Sequence, residues 1–120
     1  MIQYPMEIYD LAIVGMGFAG YSGAIYASRY GLKNIIIGEV FGGQTVEAYD
    51  IGNYPGFETI TGLELMQRVQ KQATDLGTNE LYGRVEKIEK PTNSNGIFTI
   101  NLRDNETIQA KNILLTIRLR

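Results

Sequence analysis

Apolar residues fall along the chain in runs that change period several times, and each change marks an element. After a short lead-in, Met1 to Ile8, a strand begins near Tyr9. Its buried part, Leu11 to Val14, is a continuous apolar run that ends abruptly in glycines 15, 17 and 20. From Phe18 to Tyr30 the period turns helical, with Gly17, Gly20, Ala24 and Ala27 forming a small-residue stripe that lets a helix lie close on a sheet. Gly31 stands where a left-handed residue closes a helix, and Asn34 to Ile37 reads as a second buried strand. Strand, helix and strand in roughly 30 residues predict a βαβ unit with a right-handed crossover.

Gly38 to Ile60 has no regular period and carries Gly42, Gly43, Gly52, Pro55 and Gly56 among Tyr49, Tyr54 and Phe57. So long an irregular loop in a compact domain points to binding. Thr61-Gly62-Leu63-Glu64 has the form of a capping box, opening a helix whose apolar face is Met66, Val69, Ala73 and Leu76, broadened by Leu63 and Leu65 and closed by Gly77. Stretches at Glu80 to Tyr82, Arg84 to Glu89, Ile97 to Leu102 and Thr107 to Ala110 then read as a β-meander, with turns at PTNSNG and RDNE. Phe98, Ile100 and Leu102 alternate with Thr99 and Asn101, giving that ribbon one buried and one wet face. Asn112 to Ile117 returns to an apolar run suited to a parallel strand buried on both faces. No repeat, low-complexity tract or linker divides residues 1–120, which read as one domain of α/β class.

The chemistry suggested first is that of the glycines, spaced G-x-G-x-x-G between a strand and a helix. Gly15 allows the tight turn, Gly17 lets a pyrophosphate approach the backbone, and Gly20 lets the helix approach the sheet. Gly15, Gly17, Phe18, Ala19 and Gly20 would surround the anion with main-chain groups at the helix N-terminus, where unpaired N–H groups and the helix dipole favour negative charge. Glycines alone punctuate many turns that bind nothing. Here the strand before, the small-residue helix after and the second strand beyond supply the context that nucleotide binding requires. Glu39, 19 residues after Gly20, is either the acid that meets ribose hydroxyls or a solvated glutamate at a strand end.

Composition narrows the chemistry further. Eleven basic residues against 13 acidic ones give a net charge of −2 with no block of one sign, which argues against nucleic-acid and membrane-surface roles. The absence of cysteine and histidine removes a disulfide framework, a thiol couple, a Cys or His metal site and a histidine base, so redox chemistry would need a bound cofactor. No basic segment followed by an apolar core opens the chain, and no stretch is apolar enough to span a bilayer. A cytoplasmic location is expected.

Four segments, in order, carry a resemblance: YDLAIVGMGFAGYSGAIYASRYGLK from Tyr9, FGGQ at Phe41 to Gln44, NYPGF at Asn53 to Phe57, and TGLELMQRVQKQA from Thr61. Together they resemble the N-terminal part of the FAD-binding domain of low-molecular-weight thioredoxin reductases, among the flavoprotein pyridine nucleotide-disulfide reductases. FGGQ followed closely by NYPGF is far more specific than the glycine motif. The resemblance implies a Rossmann-like three-layer fold, a parallel sheet with a β-meander, incomplete relative to the family. It implies FAD rather than NADPH in this site, with Gly42, Gly43, Gln44 and Asn53 as cofactor contacts. The amides of Gln44 and Asn53 suit polar groups of FAD. Without the resemblance, Gly42 and Gly43 are ordinary turn residues and Asn53 caps a loop turn. Main-chain groups near Val85 correspond to the strand that meets adenine, although a strand-edge valine in the core is the simpler account. Tyr49 and Tyr54 either border the flavin loop or pack beneath it.

Two departures limit what the resemblance implies. The family's A-T-G near the end of this half-domain is here Leu115-Thr116-Ile117, and a β-branched residue does not take up glycine's positive-φ conformations. The family's NADPH-binding domain and its C-x-x-C pair do not occur in these 120 residues. The chain by itself is therefore expected to supply a cofactor platform without reducing thioredoxin, and no catalytic side chain is named. NADPH and thioredoxin belong to the complete enzyme, and a homodimer or a complementing chain is the partner expected here. The alternatives are a non-catalytic dinucleotide-binding or assembly module, an inert fragment that binds neither nucleotide, and a piece of a ferredoxin-NADP reductase-like flavoprotein.

Overall fold

The computed structural model describes residues 7–92 and 95–117. The lead-in up to Met6 and part of the PTNSNG turn lie outside the described residues. The strand expected from Tyr9 is two strands, β1 (Ile8–Tyr9) and β2 (Leu11–Val14), which belong to different sheets. Asp10 makes the step between them, its carboxylate accepting the Lys33 backbone N–H at 2.8 Å.

Helix α1 (Phe18–Arg29) and β3 (Asn34–Gly38) complete the first βαβ unit, with β2 and β3 parallel from Leu11↔Asn34 to Val14↔Ile37. Gly31 adopts φ +77° past the helix end, as expected of the residue that closes it. The packed face of α1 is Gly20, Tyr21, Ala24 and Ala27. Gly17 is not part of that stripe; it is the N-cap residue, and a Cβ there would meet nothing within 4 Å.

After a 3-10 helix at Gly43–Glu47 come α2 (Gly62–Asp75) and β4 (Asn79–Tyr82). β4 lies parallel to β3, from Ile35↔Asn79 to Gly38↔Tyr82, so α2 is a second helical crossover and Glu80 to Tyr82 is not part of the meander. An edge strand with one face half-wet does not show the continuous apolar run that marks a central parallel strand. The meander is β5 (Val85–Glu89), β6 (Phe98–Leu102) and β7 (Thr107–Ala110), and β8 (Ile113–Leu115) returns to pair with β2.

Two four-stranded sheets result, one parallel in the order β4-β3-β2-β8 and one in the order β1-β7-β6-β5, in which only β1 and β7 run parallel. Alternation in β2 and β3 sends Ile13 and Ile36 toward the helices, where they join Tyr21, Ala24, Met66 and Val69. Ala12, Ile35 and Ile37 face the other way, against Tyr9, Ile100, Leu102 and Ala110 of the second sheet. The parallel sheet is thus buried on both faces between a helical layer and a β layer, the expected three-layer arrangement. Each large apolar side chain fully buried there contributes about 1.5–3 kcal/mol.

Three further sequence expectations change. Only half of the capping box forms: Thr61 accepts the Glu64 N–H at 3.1 Å, but the Glu64 carboxylate turns to Arg68. Leu63 and Leu76 are exposed, while Gly62 and Leu65 are buried, because α2 packs at its start onto the 3-10 helix. Strand β8 is an edge rather than a doubly buried strand, leaving Leu115 56% and Ile117 53% exposed.

Candidate functional site

The site is built where β2, β3 and β4 end and the segments that follow them turn. Gly15 takes φ +125°, and its N–H donates to the Ile37 carbonyl at 2.8 Å, tying the first turn to the neighbouring strand. A Cβ on Gly20 would lie 2.0 Å from the Gly15 carbonyl oxygen and 3.2 Å from the Ile36 side chain, so α1 reaches the turn only because residue 20 is glycine. Gly15 and Gly20 are therefore fixed by the packing of the protein on itself, whereas Gly17 opens onto free space.

At the start of α1 the first intrahelical bond is Tyr21 N–H to the Gly17 carbonyl at 3.1 Å, and no side chain caps the helix. The preceding amides, of Phe18, Ala19 and Gly20, are those that a helix cannot satisfy internally. With the helix dipole they give this end the character of an anion site.

The long loop closes over the same end. The Gly42 N–H donates to the Met16 carbonyl at 2.7 Å, and the left-handed residues Gly42 (φ +88°) and Gly43 (φ +55°) carry the chain past Gly17. Gly43 comes so near that its Cβ would be 3.7 Å from the Gly17 Cα. Gln44 follows in the exposed first turn of the 3-10 helix. That turn is pinned from beneath, since the Gly62 N–H donates to the Ala48 carbonyl at 2.7 Å and a Cβ on Gly62 would overlap the Thr45 carbonyl.

The NYPGF segment forms a tight turn, with the Phe57 N–H donating to the Tyr54 carbonyl at 3.2 Å and Gly56 at φ +98°. Its base is closed by reciprocal backbone bonds between Ile51 and Ile60. Tyr54 stacks edge-on against Phe18 at 5.8 Å, which brings the turn to the first residue of α1; Asn53 beside it is exposed. Of the two tyrosines, Tyr54 packs and Tyr49 is exposed.

On the other side of Gly15 lies a cleft of about 400 Å³ walled by Val14, Ile37, Val85, Ile88, Leu115 and Ile117. Glu39 and Arg84 are its charged lining residues, and the Arg84 Nε lies 3.5 Å from the Glu39 carboxylate. Val85 contributes to the wall at the first position of β5. Ile117 sits at the cleft without adopting positive φ.

The structure thus gathers the sequence-selected residues into two adjoining regions. Gly17, Phe18, Gly42 and Gly43 meet at the helix end, with Gln44 and Asn53 in the segments folded around it, and Gly15, Glu39 and Val85 line the cleft. Three contributors were not singled out from sequence: Arg84, whose partner is 45 positions away; Gly62, hidden inside a helix cap; and Thr116, whose hydroxyl donates to the Val14 carbonyl at 3.0 Å beside the glycine turn. Among the described residues, no group of three or more His, Cys, Asp or Glu side chains gathers to hold a metal, and no helix is long and apolar enough to cross a membrane.

Comparison with known proteins gives concordant results. The pattern of the family described as pyridine nucleotide-disulphide oxidoreductase matches residues 9–117. Thioredoxin reductase of Bacillus subtilis is 39% identical over 83 residues, covering 68% of this chain and 26% of that protein. Thioredoxin reductase of Mycolicibacterium smegmatis is 37% identical over 110 residues, covering 90% of this chain and 34% of that protein. The crystal structure of thioredoxin reductase from Streptococcus pyogenes superposes with a TM-score of 0.82 at 32% identity, over 94% of this chain and 37% of that one. The chain spans about a third of the length of these relatives.

Proposed function

The chain belongs to the pyridine nucleotide-disulphide oxidoreductase family, and on that premise we propose that it is the FAD-binding segment of a thioredoxin reductase-like flavoprotein. The observation that carries this reading is Gly17: it caps α1 without a side chain, beside Gly43, and faces open space where a pyrophosphate can reach the main chain. Main-chain groups of Gly15, Gly17, Phe18, Ala19 and Gly20 would hold the diphosphate, and Glu39 the ribose hydroxyls. Gly42, Gly43, Gln44 and Asn53 would meet the rest of FAD, with the Val85 main chain beside adenine. An apolar cleft with one acid at its rim suits an adenosine, which presents a flat ring and a diol.

Bound FAD supplies a two-electron centre between a nicotinamide donor and a disulfide acceptor. The residues here bind and orient; none is assigned a proton transfer. A dithiol would have to come from elsewhere, because the 120 residues include no cysteine. In the complete protein the proposed sequence is NADPH to FAD to disulfide, with thioredoxin as partner, in the cytoplasm and in a dimeric or complemented assembly. The open edge at β8, with Leu115 and Ile117 exposed, fits the addition of further structure from such an assembly.

Titrating the folded chain with FAD and following quenching of flavin fluorescence tests the assignment. Saturable uptake of FAD in preference to NADPH is expected. No uptake by a folded sample, or a preference for NADPH, would overturn it.

A further inference from the structure

The cleft beside the glycine turn has apolar walls with one pair of opposite charges among its lining residues, Glu39 and Arg84. The two reach it from different strands, Glu39 just past the end of β3 and Arg84 in the passage from β4 to β5. That passage has little freedom. The Gly83 N–H donates to the Gly38 carbonyl at 2.9 Å, and the Arg84 carbonyl accepts the Arg103 N–H at 2.9 Å. A Cβ on Gly83 would come within 2.6 Å of the Leu102 side chain, so the backbone crosses between the sheets in close contact with the β layer. Arg84 therefore extends from an anchored main chain toward a carboxylate whose own backbone is anchored by the same Gly38 bond.

An exposed ion pair adds little to stability. Its effect on geometry is larger, because a glutamate at a strand end has several rotamers and a guanidinium held 3.5 Å from one oxygen favours those that keep the carboxylate at the cleft.

We infer that Arg84 is a positioning residue that holds the Glu39 carboxylate at the cleft, so that Glu39 reads the vicinal hydroxyls of an adenosine ribose. This role deepens the FAD assignment and rests on it. Arg84 acts through Glu39, so its loss should affect recognition of the ribose hydroxyls more than binding of the nucleotide as a whole.

The test compares equilibrium binding of ADP and 2′-deoxy-ADP to the wild-type chain, Arg84→Ala, Arg84→Lys, Glu39→Ala and the double variant Glu39→Ala/Arg84→Ala, each checked for folding by circular dichroism. Wild type is expected to favour ADP by about tenfold, as befits hydrogen bonds to a charged group. In Arg84→Ala the preference should fall to about twofold while 2′-deoxy-ADP affinity changes little, and Arg84→Lys should restore most of it. In the Glu39→Ala background, Arg84→Ala should leave the ratio unchanged. An Arg84→Ala chain that keeps the full wild-type ratio overturns the inference, as does one that lowers both affinities equally. A folded wild-type chain that binds neither nucleotide overturns the nucleotide-site assignment and this role with it.

Discussion

A methyl group on Gly15 would lie 2.4 Å from the hydroxyl oxygen of Thr116, whose backbone N–H and hydroxyl both bond to the Val14 carbonyl, at 2.9 and 3.0 Å. The glycine turn is thus locked to the end of the last strand. It combines a left-handed φ with a contact that admits no side chain.

Gly15→Ala should destabilise the fold by about 2–4 kcal/mol, combining backbone strain with overpacking. In a Thr116→Ala background the cost should fall by about 1 kcal/mol, since the hydroxyl clash is gone while the positive φ and the Thr116 backbone remain. A double-mutant cycle by urea denaturation measures the difference.

Gly62→Ala should act on the loop rather than on nucleotide contacts directly, because its Cβ would overlap the Thr45 carbonyl beneath the 3-10 helix. Hydrogen exchange at the amides of residues 43–48 should accelerate at least tenfold, corresponding to about 1.4 kcal/mol of lost local stability. Amides of β2 and β3 should change far less.

Tyr21 is fully buried and its hydroxyl donates to the Glu80 carboxylate, which also accepts from Gln70 at 2.8 Å. Burial, then the hydrogen bond to Glu80, raises the phenol above its ordinary value of 10.0. A raised folded value means the stabilising contribution is complete below pH 10.0 and declines above it, as the unfolded phenol ionises first. Denaturation midpoints measured between about pH 8 and about pH 11 should fall less steeply in Tyr21→Phe than in wild type. At neutral pH the substitution should cost about 1–2 kcal/mol.

The first βαβ unit was legible because three signals coincide there: continuous apolar strands, a small-residue helix and Gly31 at its end. The three-layer arrangement was implied by the resemblance, because apolar runs mark strands and helices but not how they stack in layers. β4 reads as part of the meander in the sequence because ELY is short and half-wet, and a long irregular loop separates its crossover helix from β3. The expected burial of β8 rested on an apolar run that cannot say whether a neighbouring strand is present. For the site, glycines announced themselves by spacing, whereas Arg84 could not: its pairing with Glu39 depends on how two sheets cross, and no local period encodes that.

Gly17 provides the most direct test of the cofactor cradle, because a Cβ there meets no protein atom within 4 Å, in contrast to Gly15 and Gly20. Gly17→Val should therefore fold, with a stability loss of no more than about 1 kcal/mol from the changed helix cap. FAD titration of wild type and Gly17→Val, paired with their denaturation curves, should show saturable uptake by the first and at least hundredfold weaker binding by the second. A folded Gly17→Val chain that takes up FAD as tightly as wild type would contradict the assignment of this turn to the pyrophosphate.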